Sequence, residues 1–467
     1  MRKFALFKRR MKKIFKGILA VACMATMALG FAACGGETVN AYDIAVSNGF
    51  VGTEEEWLLS LHGANGSDGS SLDIQTMYEV AKQNGYTGTI VDFMKELSVD
   101  VQEDNDTTII AQNAMSTVNI YCGFSQTSKN GYWGSSQAKY YVSAGSGVII
   151  DLNKEAGSAL IVTNYHVLYD ADSDAKGISN NINVYTYGAV NAFNPDPTAS
   201  YKDDGIKATY VGGAMDYDIA LLRVEGSQYL KASAATEAKI GNSEEVRLGE
   251  KVFAIGNPDG AGTAVTTGAI SVESESIMMT SIDGTSSMTC RVMRTDAAIN
   301  HGNSGGGLFN ARGELIGITN AKNVDSDVDN MGYALPITQV KYLCDNILDN
   351  GGVLKRAMLG VEVYTTSGIA KYDDNGRLQV YEEFAVSAAA KKATDSSYGL
   401  LSVGDVFLTF QINDGETITL NRQYQLNDLL LTVRFGDKVV LGIRNSEGVT
   451  ESVTIQFNAE THFVIYQ

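Results

Sequence analysis

The sequence predicts a mainly β chain of two or more domains, with a small helical repeat region near its start. Three observations carry this reading. Apolar, β-branched runs such as Ile161-Val162-Thr163 and Ile219-Ala220-Leu221-Leu222-Arg223-Val224 have the character of buried strands. A second stretch starts afresh near residue 355, with Arg356-Ala357-Met358-Leu359-Gly360-Val361. Residues 41–97, by contrast, repeat a segment whose apolar spacing is helical. With 467 residues, 44% of them apolar, the chain is long enough for more than one packed core.

Residues 1–33 read as a leader. Eight basic residues lie between Arg2 and Lys16, and 17–33 is apolar and rich in small residues, the pattern of an export signal rather than a lasting transmembrane helix. The segment ends Leu29-Gly30-Phe31-Ala32-Ala33-Cys34, which resembles a bacterial lipoprotein cleavage box with Phe31 in place of the commoner leucine. That resemblance implies a mature chain starting at Cys34 and carrying a diacylglycerol thioether. Two acyl chains suffice for stable anchoring. A plain secretory signal with an incidental cysteine is the alternative; Cys23 has too little apolar sequence before it. Without the leader the formal charge falls from −18 to −26, which argues against nucleic acid or anionic lipid as a partner.

Residues 34–104 form a stalk containing the repeats, at 41–61 and 77–97. Ala41-Tyr42-Asp43-Ile44-Ala45 recurs 36 positions later as Met77-Tyr78-Glu79-Val80-Ala81. Thr53 with Glu56, and Thr89 with Asp92, have the spacing of helix N-caps with an acid at N3. Trp57, Leu58 and Leu61 then share one helical face, as do Phe93, Met94 and Leu97. Each copy is predicted as a helix–turn–helix, too small to fold firmly alone. The pair serves as a spacer or as a wall-facing binding module. Gly63, Gly66 and Gly69 mimic a collagen period, but three proline-free triplets make only a linker. Cys122, Cys290 and Cys344 are odd in number and lack CxxC spacing, so they form neither a disulfide framework nor a zinc site. Buried thiols are expected, with one disulfide left open.

The chemistry lies in three short runs. In Gly302-Asn303-Ser304-Gly305-Gly306-Gly307-Leu308 a serine sits on a glycine-rich turn, where its hydroxyl can be exposed and neighbouring backbone N–H groups can meet an oxyanion. Taken alone, the run could equally be a surface Gly-Ser loop. In Ile161-Val162-Thr163-Asn164-Tyr165-His166 a histidine follows a strand, and in Asp216-Tyr217-Asp218-Ile219 an acid opens one. A serine hydroxyl is a weak nucleophile that needs a base, and the base needs a carboxylate to fix its tautomer. Of the other histidines, His62, His301 and His462, none stands at a strand end in this way. His166, Asp218 and Ser304 therefore read as a serine protease triad, and their order along the chain is that of a chymotrypsin-like double six-stranded β-barrel.

Residues 105–350 resemble the HtrA family of trypsin-like serine proteases. The matching runs are collinear: Gly145-Ser146-Gly147-Val148, Thr163-Asn164-Tyr165-His166-Val167, Asp218-Ile219-Ala220-Leu221-Leu222, Gly256-Asn257-Pro258, Asp296-Ala297-Ala298-Ile299-Asn300-His301-Gly302-Asn303-Ser304-Gly305-Gly306, Leu315-Ile316-Gly317-Ile318 and Gly332-Tyr333-Ala334-Leu335-Pro336. His301 and Gly307 stand where the family has proline, and both substitutions are expected to loosen the loop around Ser304. The resemblance implies that Ser304 attacks the scissile carbonyl, His166 shuttles the proton and Asp218 orients His166. It places the oxyanion hole at the N–H groups of Gly302, Ser304 and Asn303. It also places Ala298 at the floor of the primary pocket, walled by Ile299, Ile318, Thr319 and Asn320. Such a pocket fits a small aliphatic side chain rather than Lys or Arg.

Residues 355–460 resemble the PDZ domain that follows HtrA protease domains, with Gly404-Asp405-Val406 and Gly436-Asp437-Lys438-Val439-Val440 as further matches. A helix is expected at 387–392, in Ser387-Ala388-Ala389-Ala390-Lys391-Lys392. The resemblance implies that Leu359, Gly360 and Val361 take the carboxylate of an extended peptide, which adds as a strand. Asp325-Ser326-Asp327-Val328-Asp329-Asn330 begins like a calcium loop, but Asn330 replaces the required glycine and Pro336 the bidentate glutamate. No metal or cofactor is expected. The resemblance makes this acidic run part of a switchable loop beside the pocket.

Together these features imply a lipid-anchored, extracytoplasmic serine endopeptidase acting on misfolded or exposed polypeptides. Peptide C-termini would be its regulatory partners, and the assembly would be a homotrimer or a higher oligomer. A narrow processing protease and a non-enzymatic peptide-binding scaffold are the alternatives.

Overall fold

The computed structural model describes Lys82 and residues 106–466, except 131–134, 197–204, 322–330 and 374–376. The leader, Cys34, the acidic run 325–330 and, apart from Lys82, the stalk repeats lie outside the described residues. Lys82 aside, all that is described belongs to one compact unit, Asp104–Gln467. No described helix is long and apolar enough to cross a membrane.

Helix α1 (Asp106–Ala114) leads into β1 (Thr117–Asn130), β2 (Ser135–Asn153) and β3 (Ser158–Thr163). A one-turn helix, α2 (Tyr165–Leu168), follows, then β4 (Asn181–Tyr185), β5 (Ile206–Ala214) and β6 (Ile219–Val224). These strands close into a barrel in the order β1-β2-β3-β6-β5-β4. The unbroken apolar run of β6 reflects burial on both faces. Ala220, Leu222 and Val224 point into the barrel with Ile120, Ile149 and Ile161. Ile219 and Leu221 instead join Val148 and Val162 in a core shared with the second sheet, as the two-residue period of a strand requires.

The second sheet comprises β7 (Lys239–Ile240), β8 (Lys251–Gly256), β9 (Ala264–Thr280), β10 (Ser287–Thr295), β11 (Gly307–Asn310), β12 (Glu314–Asn320) and β13 (Gly332–Pro336). Its order is β11-β8-β9-β10-β13-β12-β7, and β11 also pairs with β12, so six strands close a second ring. The chain is thus mostly β, with the double-barrel architecture expected from the order of His166, Asp218 and Ser304. The loosening expected at Gly307 is absent: this residue opens β11 and is paired with Ile255 on one side and Ile318 on the other.

Helix α3 (Ile337–Asp349) lays Val340, Leu343, Cys344 and Ile347 on the shared core. After β14 (Leu354–Ala357) come β15 (Glu362–Tyr372), β16 (Leu378–Ala388), β17 (Val406–Ile412), helix α4 (Gln423–Leu429), β18 (Lys438–Arg444) and β19 (Thr450–Gln456). The sheet β15-β16-β17-β18-β19 is antiparallel, and β20 (Phe463–Tyr466) returns to pair with β14. Phe384, Phe407, Phe410 and Phe457 fill the core of this C-terminal part. The helix expected at 387–392 does not form. Ser387 and Ala388 end β16, with Ala388 opposite Glu362, so ladder pairing outweighs the helix propensity of alanine.

A buried polar joint ties the C-terminal sheet to the second barrel. Arg291 on β10 is 5% exposed and donates to Asp428 of α4 and to Glu244 (2.8 Å), while its guanidinium lies 3.5 Å from the ring centroid of Tyr424. Gln339 of α3 donates to the same Asp428 at 2.7 Å. Burial pushes the Asp428 carboxyl up to about 6, with Arg291 pulling the other way. Asn346 of α3 donates to the carbonyls of Lys355 (2.9 Å) and Leu431 (2.7 Å), a second buried tie. Cys122, Cys290 and Cys344 are buried and form no disulfide with one another. Burial raises the Cys122 thiol and pushes that of Cys344 up to about 12, so neither is a nucleophile.

Candidate active site

β3 delivers His166 at its C-terminal end, on α2, with Asn164 as the extended N-cap residue. Asp218 follows a short 3-10 turn, Met215–Tyr217, and immediately precedes β6. The two side chains meet at 2.7 Å, His166 Nδ1 to Asp218 Oδ2, with 23% of the imidazole and none of the carboxylate exposed to solvent. The His166 backbone N–H donates to the other oxygen, Oδ1, at 3.0 Å. A carboxylate gripping both N–H groups of one histidine fixes the ring orientation and holds the proton on Nδ1. Nε2 is then left to accept a proton.

Asn320, at the end of β12, adds a third donor to the carboxylate: its Nδ2 lies 2.8 Å from Asp218 Oδ2. Asn164 Nδ2 donates to the Asp218 carbonyl at 2.9 Å. These bonds hold Asp218 in the left-handed region (φ 52°, ψ 41°), where a non-glycine residue persists only under such constraint.

Ser304 lies on the loop between β10 and β11, and the carbonyls of residues 301–304 are tied down. His301 O accepts from Asp259 N–H (2.8 Å), and Ser304 O accepts from Ser146 N–H (2.8 Å). Gly302 O accepts from Ser146 Oγ (2.7 Å), and Asn303 O from Thr319 Oγ1 (2.6 Å). A trans peptide points its N–H opposite its C=O. The N–H of Gly302 therefore faces away from Asp259, and that of Ser304 away from Thr319. Among the described residues neither N–H has a protein acceptor, so both can donate to an incoming oxyanion. The Asn303 N–H is engaged by Asn300 O at 3.0 Å, which removes it from the expected oxyanion set. Glycine is obligatory at two points here. Gly302 (φ 90°) and Gly305 (φ 83°) are left-handed, and a Cβ would overlap Asn257 O at the first and Ser146 O at the second.

The Ser304 hydroxyl accepts from the Ala321 N–H at 3.1 Å, and no hydrogen bond joins it to His166. Three residues expected to wall the pocket have other partners. Ile318 is in the shared core, Thr319 braces the Ser304 loop, and Asn320 holds Asp218. Ile299 is buried in the core of the second barrel, whereas Ala298 is exposed and its carbonyl accepts from Thr266 Oγ1 (2.9 Å) and Asn303 Nδ2 (3.4 Å). His301 is exposed beside the loop, and His462 packs edge-on against Phe457 in the C-terminal part. Leu359 is buried and Gly360 is left-handed (φ 80°), just ahead of β15. Val361 packs on the C-terminal core, and β15 pairs with β16 alone among the described strands. No group of metal-ligating side chains occurs among the described residues.

The roles of Ser146 and of the Asn320 amide are not apparent from the local sequence. Both are polar residues at buried strand positions, where a partner is obligatory, and that was the available signal.

A family model described as a trypsin-like peptidase domain matches residues 145–318. The serine protease Do-like HtrB of Bacillus subtilis is 31% identical over 430 residues, covering 87% of this chain and 83% of its own. The periplasmic serine endoprotease DegP of Salmonella typhimurium is 30% identical over 345 residues, covering 72% of this chain and 62% of its own. A solved HtrA-type protease, AlgW with a decapeptide, aligns with a TM-score of 0.47 at 22% identity, over 76% of this chain and 98% of that one.

Proposed function

The chain belongs to the HtrA family of trypsin-like serine proteases and is a serine endopeptidase; from that premise we propose that Ser304, His166 and Asp218 are its catalytic triad. The carrying observation is the double grip of Asp218 on His166, through Nδ1 at 2.7 Å and the backbone N–H at 3.0 Å. In the reaction Ser304 Oγ leaves the Ala321 N–H and attacks the scissile carbonyl carbon. His166 Nε2 takes the hydroxyl proton, and the imidazolium is stabilised by Asp218. The carbonyl oxygen becomes an oxyanion held by the N–H groups of Gly302 and Ser304. His166 then gives its proton to the amine as the C–N bond breaks, leaving an acyl-Ser304 ester. Water hydrolyses the ester with His166 again as base, returning the proton to Ser304.

Ala298 supports a preference for small aliphatic residues on the acyl side of the cut. The C-terminal sheet would act as a PDZ domain, taking peptide C-termini at Leu359, Gly360 and Val361 along the edge of β15. A lipid anchor at Cys34 would hold the enzyme outside the cytoplasm, where misfolded or exposed envelope polypeptides are its substrates and a trimer or larger oligomer its assembly. The periplasmic assignment in the name of the Salmonella relative supports that location. One observation favours a latent resting form: the Ser304 hydroxyl is engaged by Ala321 rather than His166.

The test incubates the purified protein and its Ser304→Ala variant with reduced, unfolded casein, followed by mass spectrometry. Cutting after small aliphatic residues by the wild type alone is expected. Equal cutting by the variant would refute the assignment.

A further inference from the structure

The strained conformation of Asp218 raises the question of what holds its other side. Asn164, Asn320 and His166 constrain the residue from the cleft. The preceding residue, Tyr217, closes the turn that presents the acid, and its ring lies away from the cleft, on the core shared by the second barrel and α3. There it meets Tyr466 of β20 edge-on, with ring centroids 5.6 Å apart and planes at 81°. This is a favourable aromatic geometry.

Tyr466 is itself fixed in place. It stands opposite Leu354 in the β14–β20 ladder. The segment just before β14 touches β5 through a bridge between Gly213 and Val353 and a Gly213 N–H to Gly352 O bond of 3.3 Å. The Arg356 guanidinium lies beside the Tyr466 ring and donates from Nη2 to Asn427 Oδ1 of α4 at 2.9 Å. Strand, linker and helix thus converge on one ring, and that ring abuts the residue next to the acid.

We propose that Tyr466, on β20, is a positioning residue for the catalytic acid and acts through Tyr217. The proposal rests on the reading of Asp218 as the triad acid. Left-handed backbone at a non-glycine residue relaxes when a neighbour that enforces it is lost. Without the Tyr466 ring, Tyr217 can shift into the vacated space and the peptide carrying Asp218 can turn. The carboxylate then loses its alignment with His166 Nδ1, while the Ser304 loop, tied to Ser146, Asp259 and Thr319, is untouched.

The experiment compares Tyr466→Ala, Tyr466→Phe and Ile465→Ala in the full-length protein with an internally quenched peptide. The low-field proton resonance of the His166–Asp218 hydrogen bond is recorded in parallel. Tyr466→Ala should lose about tenfold in kcat with KM unchanged, the scale set by small misplacements of catalytic groups. Its resonance should shift or broaden. Tyr466→Phe, which keeps the ring, should match the wild type in both. Ile465→Ala, altering an exposed side chain of the same strand, should also remain active. In the double variant with Tyr217→Leu, adding Tyr466→Ala should cause no further loss, because Tyr466 acts through Tyr217.

A folded Tyr466→Ala with wild-type kcat and an unmoved resonance would overturn the proposal. So would an Ile465→Ala loss equal to that of Tyr466→Ala, which would indicate strand docking rather than the ring. If Tyr466→Ala does not fold, Tyr217→Leu alone carries the same kcat and resonance test from the other side of the contact. Cleavage persisting in Ser304→Ala would instead defeat the triad reading on which the proposal rests.

Discussion

Replacing Asn320 by alanine isolates what holds the acid from the cleft side. The amide supplies one of three hydrogen bonds to a carboxylate with no solvent exposure, at 2.8 Å, while the other two come from His166 itself. A hydrogen bond to a charged group contributes about 1.5–3 kcal/mol. Water cannot replace the donor at a site closed to solvent, so the loss falls on the charged carboxylate that must stabilise the imidazolium. At about 1.4 kcal/mol per decade of rate, kcat should fall about 10- to 100-fold. KM should stay the same, because the Asn320 side chain faces Asp218 and not the substrate. Steady-state cleavage of a quenched peptide with valine before the scissile bond reads both constants, and circular dichroism confirms that the variant is folded. A folded Asn320→Ala within twofold of wild type, or a defect confined to KM, would refute the reasoning.

Further outcomes follow from other parts of the site. Gly302→Ala forces a Cβ against Asn257 O at a left-handed position, so the oxyanion N–H should be lost and kcat fall about 100-fold with the fold retained; full activity would show that the loop supplies no oxyanion donor. Ala298→Asp should move the preference from valine towards lysine or arginine by about tenfold in relative kcat/KM, whereas an unchanged ratio would remove Ala298 from the pocket floor. At the polar joint, the folded Asp428 carboxyl titrates near 6, above an ordinary carboxylate at 3.8, because burial disfavours its charge. The folded protein therefore binds the extra proton. The stability from this group is present at acidic pH and is lost as pH rises through about 6, by about 3 kcal/mol at most. Relative to Asp428→Asn, the wild type should lose melting temperature between pH 4 and 7, and a difference that stays flat or runs the other way would contradict the assignment.

Much of the double barrel and of the proposed triad was legible because the relevant signals are local. His166 follows a β-branched strand, Asp218 opens another and Ser304 sits in a glycine-rich turn, so each announces itself within about ten residues. What escaped depends on side-chain direction and distant pairing. Ile318, Thr319 and Asn320 are consecutive, and only the register of β12 against β11 and β13 decides which of them meets the core, the loop or the acid. The alanine-rich run at 387–390 reads as helix until the partner strand at Glu362 is known. Arg291 and Asp428 are far apart in sequence, and nothing near either one predicts that they pair. Asn303 shows the same limit at the scale of a single peptide, since the turn, not the residue type, sends its N–H to Asn300.

The most direct test of the central claim is labelling with a fluorophosphonate, read by peptide mass spectrometry on the wild type and on His166→Ala. The account expects one covalent adduct, on Ser304, formed readily in the wild type and nearly abolished without the His166 base. An adduct on another residue, or equal labelling of Ser304 when His166 is gone, would contradict it.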